Sequence, residues 1–244
     1  MAFFIPHFSP HDINLASLSA LYQAPNSKHF FGTDHLGRDL FTRLFYALRS
    51  SIFIGLAASF LTLLFAVFYV FLARFCDVLM RFLDMFLALP FLLLMMFFQS
   101  FVAGGYASMI ILIALTHWPF IAKLLASELK RLEGLEFYQA ALVLGSSRTR
   151  AFFCELLPPC FSILTVLFIL NIIHAIGTEA TLSFFGLGLA FEIPSLGTML
   201  AEASGAVFMG AWWLIIHPLL ALLLLILPLL ALSAHLQKYF GIKL

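Results

Sequence analysis

A polytopic bundle of membrane-spanning α-helices is predicted by three features of this sequence. These are its hydrophobic content, a series of apolar segments of spanning length, and the segregation of its few charges. Hydrophobic residues fill 63% of the 244 positions, charged residues only 10%, and the mean hydropathy is +1.07. Soluble domains run nearer half apolar and a quarter charged, so lipid must solvate much of this chain. The fold class is therefore all-α, with five transmembrane helices and one long cytoplasmic loop.

Residues 1–50 form the first unit, an extracytoplasmic N-terminal segment. Its start is not a secretory signal, because Met1 to Phe8 lacks a basic flank and Pro6 and His7 interrupt a short apolar run. Residues 38–50 alternate at helical spacing. Arg38, Asp39, Thr42, Arg43, Tyr46, Arg49 and Ser50 share one face, and Leu40, Phe41, Leu44, Phe45 and Leu48 the other. Such a helix is expected to lie in the interface plane, with Thr33 or Asp34 as its cap.

Residues 51–244 form the transmembrane unit. About 20 apolar residues cross the hydrocarbon core as a helix, and five segments qualify, at 52–73, 83–102, 108–126, 161–182 and 212–236. Gly104-Gly105 marks the turn between the second and third. Arg74 and Arg81, then Lys123, Lys130, Arg131, Arg148 and Arg150, and finally Lys238 and Lys243 all fall on one side if the spans alternate. By the positive-inside rule that side, with the C-terminus, is cytoplasmic. The N-terminal segment is then outside despite Lys28, Arg38, Arg43 and Arg49, as though one helix were missing ahead of it.

Function-bearing residues are few. Cys76, Cys154 and Cys160 match neither a zinc spacing nor a redox pair. Loop 127–159 contains a short helix with small alanines, Tyr138-Gln139-Ala140-Ala141, stopped by Gly145, and then a basic stretch running to Leu157-Pro158. It reads as a docking element for a cytoplasmic partner or as an ordinary connecting helix. In the fourth span Asn171, His174, Thr178 and Thr181 recur on one face beside Glu179, with Ser183 beyond. Polar residues inside a span line an aqueous path or hold the bundle by interhelical hydrogen bonds. Arg81 and Asp84, three apart, read as a local ion pair, and His117 as structural. No catalytic group and no metal site is predicted.

Several blocks carry a family resemblance. Gln139-Ala140-Ala141, Gly145 and Leu157-Pro158 resemble the EAA loop of bacterial ABC importer permeases, although Gln139 replaces the usual Glu. Gly32-Thr33-Asp34, Gly37-Arg38-Asp39 and the residues to Leu44 resemble the GTDxLGRDxxSRL stretch of the peptide and nickel permeases. Asp77, Arg81 and Asp84, with Pro90, resemble their VDxxLMRxxD…P element, though the glycine-rich turn before it is missing. Glu179 to Gly188, and then Pro194 to Met199, resemble their EASLSFLGLG…PSWGxM run. The family's C-type members usually have six spans, so this chain is expected to be one short.

The resemblance implies a transport subunit without its own ATPase site. Loop 127–159 would supply the coupling helix through Tyr138, Gln139, Ala140, Ala141, Gly145, Leu157 and Pro158. A translocation path would run along Asn171, His174, Thr178, Glu179 and Ser183. Glu192 and Glu202 would meet basic groups of a substrate-binding protein. Implied partners are a second permease subunit in a heterodimer, cytoplasmic ATPase subunits, the substrate-binding protein and the inner-membrane bilayer, with no nucleic acid. This chain would bind no cofactor, and ATP and Mg²⁺ would sit on the ATPases. The absence of a GxxxxGK[ST] loop agrees with that division. The expected cargo is short peptides or, because His35 and Thr116-His117-Trp118 resemble the nickel branch, nickel, perhaps as a chelate. An intramembrane enzyme lacks its HExxH, GxSG or GxGD signature, and an ion-coupled carrier lacks the internal repeat.

Overall fold

The structure, a computed structural model, describes residues 17, 20–102, 104–190, 192–206 and 209–242, with Asp77 described by its backbone only. The side chain of Asp77, the charge of Lys243 and the run from Met1 to Phe8 lie outside the described residues. Nine α-helices are present among the described residues, and the only β-pairing there is one bridge between Thr33 and Asp39.

Helix α1 (Leu40–Ala73) is the longest, at 34 residues, or about 51 Å. It exceeds the roughly 30 Å of hydrocarbon it has to cross. A separate interfacial helix over 38–50 is not found: residues 40–50 are the opening turns of α1 itself, capped by Asp39. Nor does Thr33 or Asp34 cap it, because the Asp39 carboxylate accepts from Thr42 N at 2.9 Å. Arg38 and Arg43, expected on a solvated face, turn inward and are buried.

The buried stripe of α1 is built from small residues. Ala47, Ser51, Gly55, Ala58, Thr62 and Ala66 recur every three or four positions, with Ser59 beside them, letting helix backbones approach closely, which is how helices associate in lipid without a hydrophobic drive. Against this stripe pack α4 (Tyr106–Glu133) and α7 (Phe161–Phe184). Together α1, α4 and α7 form the frame of the bundle.

The expected second span, 83–102, is not one straight helix. It is a bent pair, α2 (Asp77–Leu87) and α3 (Phe91–Gln99), meeting at 85°. Pro90 is the physical reason. It has no N–H to donate, and its ring drives Leu89 out of the helical region. Among the described residues four helices are individually long and apolar enough to cross a membrane, and the bent pair makes a fifth span if counted as one.

Helix α4 is capped at Gly105, where the Ser108 hydroxyl accepts from Gly105 N at 3.1 Å. It runs to Glu133, well past residue 126, so the loop that follows is shorter than expected. That loop holds α5 (Glu136–Val143) and α6 (Arg148–Ala151), the latter continuing into one π-helical turn, Phe152–Leu156. Between α7 and the last helix, α9 (Trp213–Phe240), the chain folds back and carries a short helix, α8 (Leu196–Ser204).

Helix α8 lies against α7 so closely that only glycine fits at 197. A Cβ there would sit 2.5 Å from the Ala180 carbonyl oxygen, a backbone atom that cannot swing aside. Gly197→Ala is expected to cost about 3 kcal/mol, the upper end for overpacking. Thermal unfolding of the purified protein in detergent measures this, and an unchanged midpoint would contradict the close contact.

Candidate functional site

At the N-terminal end of α1 the chain closes into a tight turn around Asp34. Gly32 and Gly37 adopt φ of +79° and +71°, which glycine tolerates. The Asp34 carboxylate is saturated. Oδ1 accepts from Leu36 N at 2.8 Å and Arg38 N at 2.9 Å, and Oδ2 accepts from Arg38 Nε at 2.6 Å and from Arg43 Nη1. Arg43 also grips Glu202 of α8 with both Nη atoms, at 2.8 and 3.0 Å, and Arg38 Nη2 reaches the same carboxylate at 3.3 Å. Nearby, Thr33 Oγ1 donates to Ala20 O, and Trp213 Nε1 of α9 donates to Thr33 O at 3.2 Å. His29 Nδ1 lies 2.9 Å from Asp39 Oδ1. The motif residues from Gly32 to Asp39 thus form one closed fastening.

Burial raises the Asp34 pKa, but the Arg38 backbone N–H and the guanidinium groups of Arg43 and Arg38 outweigh it, leaving the carboxyl below its ordinary value. Glu202, expected to meet a partner's basic groups, is instead engaged internally by two arginines. Glu192 is exposed. His35 comes close to Asp34 and Glu202, with side-chain ligand atoms within 4.8 Å of one another. Those carboxylates already serve the arginines, so the group reads as ion pairing rather than as a cation cage.

Deeper in the bundle, Glu179 is fully buried. Ser51 Oγ of α1 donates to Glu179 Oε2 at 2.9 Å, and Ser183 Oγ donates to Oε1 at 2.8 Å. Leu196 N, the first residue of α8, in turn reaches Ser51 Oγ at 3.4 Å. Glu179 and Ser183 are therefore enclosed within this chain and join α1, α7 and α8. Asn171 Nδ2 donates to Ser59 Oγ at 3.1 Å, and its Oδ1 lies 3.2 Å from His117 Nδ1. Thr178 Oγ1 is 3.4 Å from His117 Nε2. Both ring nitrogens of His117 thus face polar partners of α7.

Beside this set a cavity of about 470 Å³ opens where the bent pair leaves space against α4 and α7. Phe91, Phe120 and Leu170 give it apolar walls, and His117, Asn171 and His174 line one side. Of the five residues expected on a path, the structure brings only Asn171 and His174 to this cavity.

The far end of α1 carries a second fastening. Arg74 pairs with Glu133 at the end of α4, and its Nη2 donates to Tyr138 Oη of α5 at 2.8 Å. Tyr138 is buried, whereas Gln139, Ala140 and Gly145 are exposed and Ala141 is half-buried. Gly145 ends α5 with φ of +90°, donating to Leu142 O, while Ser146 N closes back on Ala141 O. Ahead of that turn Val143 and Leu144 protrude, 88% and 86% exposed. Leu157 packs on the core and Pro158 is exposed. Asp84 pairs with Lys123 of α4, not with Arg81, which is exposed.

Sequence reasoning missed Ser51, Lys123, Glu133 and the bridging role of Arg43. Ser51 is one hydroxyl in an apolar run, and its partner lies 128 residues away. Only the polar face drawn through Arg43 carried any signal.

The pattern of the family described as binding-protein-dependent transport system inner membrane component matches residues 58–241. Among relatives, the dipeptide transport system permease protein DppC of Bacillus subtilis is 30% identical over 89% of this chain and 70% of its own length. The oligopeptide transport system permease protein OppC of the same organism is 33% identical over 87% and 71%. Among solved structures, a chain from the inward-facing MetNI methionine ABC transporter superposes with a TM-score of 0.64, covering 80% of this chain and 94% of its own. At 15% identity that likeness speaks for the fold alone.

Removing Arg43 leaves the buried Asp34 and the half-buried Glu202 with Arg38 as their one shared guanidinium. Arg43→Met is expected to lower stability by about 3–5 kcal/mol, the cost of breaking a buried ion pair from one side, as read by thermal unfolding in detergent. A second expectation follows from the depressed Asp34 pKa. Its contribution is fully present above the unfolded value of about 3.9 and is lost as pH falls through the lower folded value. The unfolding midpoint should therefore drop below about pH 4, and Asp34→Asn should flatten that acid limb.

Proposed function

The chain belongs to the family of binding-protein-dependent transport system inner membrane components, and on that premise we propose that it is the permease subunit through which an ABC importer moves short peptides. Membership makes it a multi-pass membrane transport component rather than an enzyme, working with ATPase and substrate-binding subunits. The peptide cargo is inferred from relatives named for dipeptide and oligopeptide transport. A heterodimer with a second permease, and a cytoplasmic C-terminus, complete the reading.

One observation carries the coupling role, namely the way α5 is mounted. Its tip presents two bare apolar side chains, Val143 and Leu144. Its base is tied by Tyr138 to Arg74, at the end of α1, and through Arg74 to Glu133 of α4. Arg74 also stacks over Phe152, 5.6 Å from the ring centroid. A push on the tip is thereby delivered to two spans of the frame. We assign the tip to the ATPase groove and the Arg74 end of the bundle to the cytoplasm. The opposite end, with α8 and the Asp34–Arg43–Glu202 fastening, then faces the binding protein.

Nickel is the competing cargo, and its support is the resemblance of His35 and the Thr116-His117-Trp118 run to the nickel branch. The deciding experiment reconstitutes the co-expressed permeases and ATPases in proteoliposomes with the loaded binding protein outside. ATP-dependent entry of labelled di- and tripeptides is expected, without entry of Ni²⁺. Transport by this chain alone, or no ATPase retained on its purification, would sink the importer reading.

Charging the α5 tip tests the coupling role. In the Val143→Asp, Leu144→Asp double variant, burying two unpaired carboxylates at an interface should weaken ATPase association by about tenfold or more, at some 1.4 kcal/mol per decade. Co-purification yields measure this. An unchanged yield would remove α5 from the docking surface.

A further inference from the structure

We infer that the exposed Asp84–Lys123 pair, set at the rim of the apolar cavity between the bent pair and α4, is a binding site for a zwitterion with an apolar side chain, which for this importer means a short peptide with free termini. The inference rests on the peptide reading above and adds a site to it.

The first observation is where the pair lies. Lys123 is 10 residues before the end of α4, or about 15 Å along its axis, inside a helix that crosses the membrane. Its side chain is 47% exposed and that of Asp84 56% exposed. Charged groups left open toward the end of a span face the bundle interior, the interface or water rather than hydrocarbon. The pair thus marks a wet surface.

The second is what the pair borders. On α4, Pro119 and Phe120 stand four and three positions before Lys123, on the same face, and both line the cavity. On α2, Leu87 lies one turn beyond Asp84 and lines it too. Its volume of about 470 Å³ falls in the range of small-molecule sites. The walls are almost wholly apolar apart from the edge formed by Thr116, His117, Asn171 and His174.

The third is unused bonding capacity. A lysine ammonium has three donors, and the pair uses one, while Asp84 Oδ2 accepts from no group among the described residues. A peptide's carboxylate can therefore add to Lys123 and its ammonium to Asp84 without breaking the pair, giving a four-charge ring. Its side chain then has the Pro119–Phe120–Leu87 pocket beside it. Peptides lacking free termini lose the charges, and solutes lacking an apolar group leave the cavity unfilled.

The test uses the assembled transporter in inside-out vesicles. Cys76, Cys154 and Cys160 are replaced by alanine, and Leu87→Cys provides a reporter thiol. A charged, membrane-impermeant thiol reagent is expected to label it. Leu-Phe should slow labelling about fivefold at a concentration about four times its Kd, and N-acetyl-Leu-Phe-amide should not. Lys123→Gln or Asp84→Asn should abolish the protection, and Lys123→Arg should keep it. Failure to label would place the surface against lipid or the second permease and overturn the site. Equal protection by both peptides, or by neither, would also overturn it. Protection of the expected kind in a transporter that imports no peptide would retire the cargo reading and leave the zwitterion site standing.

Discussion

An arginine side chain only 2% exposed, held between two carboxylates, is the constraint on which the half of this molecule around the start of α1 depends. Arg43 cannot be left in a dry bundle without counter-charges, because removing an ion from water costs far more than an ordinary contact returns. The chain meets the need with Asp34 from the N-terminal turn and Glu202 from α8, residues 168 positions apart in the sequence. Satisfying one guanidinium therefore fixes three elements at once. The two glycines with positive φ, the Asp39 cap and the Trp213 contact with Thr33 follow from the need to bring the Asp34 carboxylate to that point.

The same helix is fastened again at its other end, by Arg74 to Glu133 and Tyr138. Between the fastenings the buried stripe of α1 is small, from Ala47 to Ala66, and hydrogen-bonded to its neighbours at Ser51 and Ser59. Small residues bring backbones together over a long, continuous contact, and the two hydroxyls tie that contact to Glu179 and Asn171 of α7. The result is one continuous rod packed against α4 and α7, with Arg74, Glu179 and Arg43 all bonded along it. Glu179 is enclosed rather than exposed to a pore, and its bonds to Ser51 and Ser183 account for its presence by joining three elements.

How much of this was legible depended on the range of the interaction. Hydropathy found the four long spanning helices of the described residues, because burial in lipid is a local, additive property of about 20 residues. Gly145 and Gly105 marked their helix ends because backbone conformation is local too. Pro90 was visible, but the sense of the spans hid its effect: a run of apolar residues from 83 to 102 has the same hydropathy straight or bent. The ion pairs were not legible. Arg81 and Asp84 have good helical spacing, yet Asp84 takes Lys123, 39 residues on, because α2 turns away from the axis and lies against α4. Glu202 read as a surface acid for want of any sequence-level sign that α8 folds back onto α1.

The exchange of Glu for Gln at 139 shows how a departure from a family pattern can have a physical reason within one chain. Gln139 Nε2 donates to the Glu133 carbonyl at 2.8 Å, the last residue of α4. Carbonyls at a helix C-terminus lack intrahelical partners and carry the negative end of the macrodipole. An amide can donate there, while a carboxylate has nothing to donate and would be repelled. Glutamine thus adds a second tie across the α4–α5 elbow beside Tyr138, at the joint that Arg74 anchors. What the substitution removes is a charge on the exposed face of α5, and what remains there is the apolar tip of Val143 and Leu144. For the docking role proposed above, this tip offers shape and hydrophobic contact rather than charge, mounted on a stiff elbow.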